Sequence, residues 1–292
     1  MFDAFRYFTL AVAHGTFTAA ARHAHVTQPA LTAAIQRLEG ELGARLFVRG
    51  RGGCTLTAAG EALLPRARAA LAAVEDGRRA VAEVSGLTAG SVRVGAGATV
   101  CSYYLPAVLA RFRAAYPGVQ ILVREAPHEA ILAEVDAGEL DLGIVGRSVG
   151  ELWRMDALVV VAAPGTPTED APFVTFPKGS TTRALLDRHF PDARVAMELG
   201  GIAAVKGNVR AGVGVALVSE RAVERDLASG QLVDVRAPGT PIARPLCIAH
   251  KGVDLLPPAA AKLREMLMAD APARAASSVN RRRRRRSTRR PP

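Results

Sequence analysis

Gln28, Pro29, Thr32, Ala33, Gln36 and Arg37 share one arc of a helix when residues 28–39 are placed on a helical wheel. That arc is polar but barely charged, which suits the edges of bases better than bulk water. A glutamine amide can pair bidentately with adenine, while the Pro29 ring and the Thr32 methyl can touch a thymine methyl. Gln36 lies on the same surface, and Arg37, farther round, suits a phosphate. Thr27 is placed to cap the helix, and Pro29 falls in its first turn, where a missing N–H costs little. A second group of residues has different chemistry. The segments Gly97-Ala98-Thr99-Val100-Cys101-Ser102, Pro177-Lys178-Gly179-Ser180-Thr181-Thr182-Arg183 and Gly200-Gly201-Ile202-Ala203 each open a helix after an expected strand. Hydroxyls and free backbone N–H groups at helix N-termini make a cradle for a carboxylate or phosphate. Thr99, Ser180 and Thr182 would donate, and Lys178 or Arg183 would supply charge. Taken singly, each hydroxyl also reads as an ordinary helix cap.

The elements around the first group decide its meaning. On the helix Gln28–Glu39 the opposite arc, Ala30, Leu31, Ala34, Ile35 and Leu38, must face a core. Alone this is an ordinary amphipathic helix. Upstream, Thr16 or Thr18 caps a short helix carrying Ala19, Ala20, Ala21 and Ala24, whose small side chains let two helices cross closely. Downstream, residues 46–49 and 54–57 can pair as strands about the turn Gly50-Arg51-Gly52-Gly53. Arg49 and Arg51 then sit at a loop tip able to enter a minor groove.

The run Val26-Thr27-Gln28-Pro29-Ala30-Leu31-Thr32, the segment Arg37-Leu38-Glu39, and Leu42-Gly43 followed by Leu46-Phe47 resemble the N-terminal winged helix of LysR-type transcriptional regulators over residues 3–60. Ala33 and Ala34 stand where that family commonly has Arg and Gln, and Gln36 is often basic there. These departures remove phosphate contacts but leave Gln28, Pro29 and Thr32 intact.

Residues from Thr57 to about Ser85 read as one long helix. Leu64, Ala67, Leu71, Val74 and Val81 step along it by threes and fours, interrupted at Gly77-Arg78. So weak a seam implies pairing with a second copy, or else packing on its own domain. A homodimer would set two recognition helices one helical turn apart. Beyond a short Gly/Thr linker, strand and helix patterns alternate from Val92 to Met268, which implies parallel sheets covered on both faces.

This region resembles the LysR effector domain, two α/β lobes like type 2 periplasmic binding proteins. The resemblance implies an α/β protein with an all-α winged helix at its N-terminus. Residues 1–57 would read double-stranded DNA, 58–85 would link and dimerise, and 86–91 would form a hinge. Residues 92–270 would bind an effector, with lobe I at about 92–161 and 243–270 and lobe II at about 162–242. A small, anionic effector would lie between the lobes against Thr99, Cys101, Ser102, Lys178, Ser180, Thr182, Arg183, Gly201 and Ile202. Ile202 stands where relatives often carry polar groups. The resemblance also implies a tetramer built as a dimer of dimers.

The 292 residues carry a formal net charge of +11, unevenly spread. It divides as +3 over residues 1–85, −1 over 86–270 and +9 over 271–292. A neutral middle suits ligand binding rather than nucleic-acid coating. No stretch of about 18 apolar residues and no signal peptide is present, so a cytoplasmic, nucleoid-associated protein is expected. Cys54, Cys101 and Cys247 are too few and too widely spaced for a disulfide framework. Cys101 and Cys247 read as small buried hydrophobes, with redox sensing the alternative. Gly95-Ala96-Gly97 lacks the third glycine of a dinucleotide fingerprint, and the six histidines show no metal spacing. Neither catalysis, a cofactor nor a metal is expected. A constitutive or architectural repressor, its effector domain ligand-free and used for oligomerisation, is the competing account. The arginines of 271–292 cannot bury a core and read as disordered.

Overall fold

The computed structural model describes residues 1–50, 53–84 and 90–271. Its N-terminal part is built on α1 (Phe2–His14), α2 (Phe17–Ala24) and α3 (Gln28–Leu42). Thr16 caps α2, its hydroxyl accepting the Ala19 N–H at 3.1 Å, and Thr27 caps α3 by accepting the Ala30 N–H at 3.4 Å. Phe8, Ala20, Leu31, Ile35, Leu38 and Leu46 form the core. Ala30, expected to face inward, is exposed, because it lies at the margin of the buried arc centred on Leu31, Ile35 and Leu38.

A carboxylate hidden in this core joins the helix to the wing. Glu39 accepts the Leu46 N–H at 2.8 Å and the Phe47 N–H at 3.4 Å, and meets Arg45 at 3.3 Å. It thereby satisfies two donors where the chain turns into β1 (Phe47–Gly50), which pairs antiparallel with β2 (Gly53–Leu56). The wing is thus a β-hairpin on an otherwise helical unit, shifted by one residue from expectation. The Cys54 N–H donates to the Gly15 carbonyl at 2.9 Å, seating the hairpin on the end of α1. Gly53, at φ 131°, lies so close to that carbonyl that a Cβ would meet it at 2.5 Å, so only glycine fits.

The long helix α4 (Ala58–Val84) begins at Thr57, whose hydroxyl accepts the Gly60 N–H at 3.1 Å. Leu63, Leu64 and Ala67 pack into the winged-helix core, so the first part of the anticipated dimer seam is engaged within its own chain. Val74 and Val81, farther along, are exposed. The hinge expected at 86–91 falls mostly outside the described residues.

Residues 90–271 form two α/β lobes. Its elements are β3 (Ser91–Ala96), a π-helix Val100–Tyr104 running into α5 (Leu105–Ala115), β4 (Gln120–Glu125), α6 (His128–Ala137) and β5 (Leu142–Val145). They continue as β6 (Glu151–Ala162), β7 (Phe173–Thr175), α7 (Thr181–His189), β8 (Val195–Glu198), α8 (Ile202–Arg210), β9 (Ala216–Ser219), α9 (Glu220–Ala228), β10 (Val233–Asp234), β11 (Ile242–Ala249) and α10 (Pro258–Ala269). The main sheet runs β10-β6-β11-β5-β3-β4, with β9 also on β6. Strands β3, β4 and β5 are parallel, whereas β6 lies antiparallel to β9, β10 and β11. The sheet is therefore mixed, not parallel as expected.

The reason lies in β6 and β11, which run through both lobes instead of starting one. Trp153 of β6 belongs to the core with Val94, Phe112, Ile144 and Leu263. Val159 and Val161 of the same strand belong to the core with Val174, Val205 and Val218. Among the described residues no helix is long and apolar enough to cross a membrane.

Candidate nucleic-acid interface and inter-lobe cleft

The start of α3 presents Gln28, Pro29, Gln36 and Arg37 to solvent, with Thr32 half-buried among them. Gln28 is already oriented: its Nε2 donates to the Thr32 hydroxyl at 2.8 Å. That bond uses one amide hydrogen and leaves Oε1 and the second hydrogen on the outer edge, the pair a base edge requires. Thr27 is taken up by its capping bond. Arg49 lies on β1, opposite Cys54, and Arg51 lies outside the described residues.

A cavity of about 260 Å³ opens between the lobes, with Thr99, Glu125, His128, Ser180, Thr182 and Arg244 among its polar lining. The strand ends of β3, β4, β5 and β7 converge on it, each followed by a turn that brings hydroxyls or backbone N–H groups to the wall. Ser180 caps α7 by accepting the Arg183 N–H at 3.1 Å. The Thr182 hydroxyl, almost fully buried, accepts from Arg244 Nη1 at 2.9 Å. Across the cleft, Thr181 Oγ1 meets His128 Nδ1 at 3.1 Å.

Behind the cavity the buried Arg244 guanidinium pairs with Asp156, its register partner on β6, through Nη2 and through Nε at 3.1 Å. The other Asp156 oxygen accepts the hydroxyls of Tyr104 and Ser219, each at 2.7 Å. Burial, and then the bond to this carboxylate, push the Tyr104 phenol far above its usual range. One carboxylate thus ties the π-helix, β6, β9 and β11 together, and through Arg244 it reaches α7.

Of the effector residues expected from sequence, Thr99, Ser180 and Thr182 line the cavity. Arg183 does not: its guanidinium is buried against Asp187 at 2.7 Å and against Glu198, so its charge is spent within the second lobe. Lys178 and Ser102 are exposed and off the lining. Gly201 caps α8 beside the lining residue Gly200, and Ile202 is packed into the second-lobe core. Cys101 turns its thiol to the Ala96 carbonyl at 3.4 Å and packs against the first-lobe core. Burial, and then the charge of Glu125, push this thiol up to about 11, and burial also raises buried Cys247. Both should resist alkylation in the native protein at neutral pH, since only the thiolate reacts. Rapid labelling of either by iodoacetamide before denaturation would contradict this. Glu125, His128, Asp156 and Arg244 were not anticipated. The only sequence signal is for Arg244, a lone base in the otherwise uncharged strand β11; Asp156 follows Glu151 and Arg154 in the charged half of β6 and does not stand out.

Residues 2–61 match the bacterial regulatory helix-turn-helix of the lysR family, and residues 85–272 match the LysR substrate binding domain. The chain belongs to the LysR family of transcriptional regulators. It is 32% identical over 283 residues to the HTH-type transcriptional regulator CfxR of Cupriavidus necator, covering 89% of this chain and 89% of that one. Its fold is similar to the crystal structure of ArgP from Mycobacterium tuberculosis, at 20% identity and a TM-score of 0.72, over 92% of this chain and 96% of that one. The regulatory domain of CcmR from Synechocystis PCC6803, solved in complex with 2-PG, is 26% identical with a TM-score of 0.56. It covers 62% of this chain and 97% of that one. This LysR-family regulator therefore joins a DNA-binding helix-turn-helix to an effector-binding domain of the periplasmic-binding-protein kind.

Proposed function

We propose that this regulator's promoter binding or activation is modulated by a small anion held in the inter-lobe cleft. One observation carries the reading. The hydroxyls of Ser180 and Thr182 each already accept a hydrogen bond, from the Arg183 N–H and from Arg244, so each has its own O–H to donate. Two such donors beside the open N-terminus of α7 call for an acceptor-rich partner. No unpaired side-chain cation is needed, because neutral donors and the helix end supply the field. The likeness to a regulatory domain solved in complex with 2-PG supports a small-molecule occupant.

In this reading residues 1–57 read DNA through Gln28, Pro29, Thr32, Gln36 and Arg37, with Arg49 and Arg51 in the wing. Thr27, on the same surface, anchors the helix that carries them. Residues 58–85 link, 92–270 sense, and the exposed Val74 and Val81 pair with a second copy, two dimers making a tetramer. The protein acts in the cytoplasm, on the nucleoid, as a binding protein rather than an enzyme.

A thermal-shift screen with small carboxylates and phosphates tests the cleft. A ligand at 100 times its dissociation constant stabilises by about 2.7 kcal/mol, and Ser180→Ala should weaken it. A stabilising anion whose effect survives Ser180→Ala unchanged would place the site elsewhere. The arginine-rich segment 271–292 lies almost wholly outside the described residues. Its charge of +9 predicts that deleting it flattens the salt dependence of DNA binding while keeping site preference. An unchanged slope would dismiss it as a phosphate grip.

A further inference from the structure

Helix α6 touches the cleft at one end and the long helix α4 at the other. At its start, Pro127 and His128 line the cavity, and His128 Nδ1 is bonded to Thr181 of the second lobe at 3.1 Å. Ten residues later, at about 1.5 Å per residue, the helix ends on Gly138 in the left-handed conformation, φ 75°. There the backbone is so close to α4 that a Cβ on Gly138 would stand 2.5 Å from the Ala72 Cβ. The next residue, Glu139, meets Arg68 of α4 at 3.5 Å.

Between its ends the helix is held as a rigid body on a floor of glycine. Ile131 and Val135 are buried, and Ile131 rests on Gly95 and Gly143, where an added Cβ would approach its side-chain carbons to 3.2 and 2.7 Å. Gly95 and Gly143 raise no side chain of their own beneath Ile131, and its other buried neighbours, Leu140 and Val145, are aliphatic, so a small axial shift of α6 is opposed only by non-directional contacts. Its outer side is braced by Glu134, which pairs with Arg124 at 2.9 Å. A helix resists axial compression through its hydrogen-bonded turns, so displacement at residue 128 reappears at residue 138.

We infer that α6 is the strut by which cleft occupancy reaches α4, and through α4 the DNA-reading head. A ligand that breaks or tightens the His128–Thr181 contact moves the start of α6. Gly138 and Glu139 deliver the movement to Ala72 and Arg68. The inference rests on the cleft being the effector site, but its test needs no effector.

Coupling is reciprocal, so a disturbance at either end must be felt at the other. Amide hydrogen exchange on the full chain is followed in Thr181→Val and in Arg68→Ala. Thr181→Val should speed exchange across residues 68–76 by about threefold or more, and Arg68→Ala should do the same across residues 128–131. Thr181→Ser keeps the hydroxyl and should behave as wild type; a shift in α4 as large as that of Thr181→Val would mean that mere disruption is being read. Changes confined to the neighbourhood of each substitution, with circular dichroism intact, would overturn the strut. Loss of anion binding with the exchange coupling preserved would instead remove the proposed ligand and leave the strut standing.

Discussion

Asp156→Ala should lower the free energy of unfolding by about 3–5 kcal/mol, the usual cost of removing one partner from a buried ion pair. The Asp156 side chain is 1% exposed and that of Arg244 6%. Alanine leaves a guanidinium without its counter-charge and removes the acceptor of the Tyr104 and Ser219 hydroxyls. Coulombic attraction alone would not decide this, since desolvation offsets much of it. The penalty comes from the unpaired charge left behind. Trp153 is the single tryptophan of the chain and lies three residues away in the first-lobe core, so its fluorescence in a urea titration reports the loss directly. Adding Arg244→Met should restore most of the stability. A loss under about 1 kcal/mol, or a double variant no better than the single one, would show that this hub does not hold the lobes together.

The other large effect belongs to Gln28. Its replacement by alanine should weaken binding to a selected site by roughly 5- to 150-fold per half-site, the equivalent of about 1–3 kcal/mol for one bidentate base contact. Binding to bulk DNA should be unchanged. Thr32→Val should cost less, since it removes only the bond that pre-orients the amide and keeps a methyl for thymine. Selection of bound fragments from genomic DNA by the two proteins side by side would check both. A pseudo-palindromic site enriched by the wild type and lost in the variant supports the reading. Equal enrichment of the same site would move base recognition away from Gln28.

The helix-turn-helix was legible because each of its signals is local: Thr16 and Thr27 cap, Leu31, Ile35 and Leu38 repeat at helical spacing, and the wing is a short hairpin. Ala30 was misplaced because a helical wheel shows direction but not whether a neighbour is there to cover it. Strand β6 is only half legible from local signals, because its apolar run covers Leu158–Val161 and not its beginning. Its first half, Glu151–Asp156, is polar by composition, and Asp156 is buried there only because Arg244, 88 residues on, neutralises it. No local pattern shows such a pair. The same blindness affected Arg183, which reads as a ligand's counter-charge until Asp187 and Glu198 are seen around it. Hydroxyls at 99, 180 and 182 were found because strand-to-helix junctions announce themselves; Glu125 and His128 were missed because the turn from β4 into α6 carries no hydroxyl to mark it.

The two strands shared by the lobes have a consequence for speed. Since β6 and β11 continue from one core into the other and are pinned at their middle by Asp156, wide opening would require unpicking a satisfied polar cluster. The cavity should therefore stand ready-made, and capture of a solute should be limited by encounter rather than by a gating motion. How quickly such a regulator answers a change in metabolite concentration would then be governed by its residence time on the promoter.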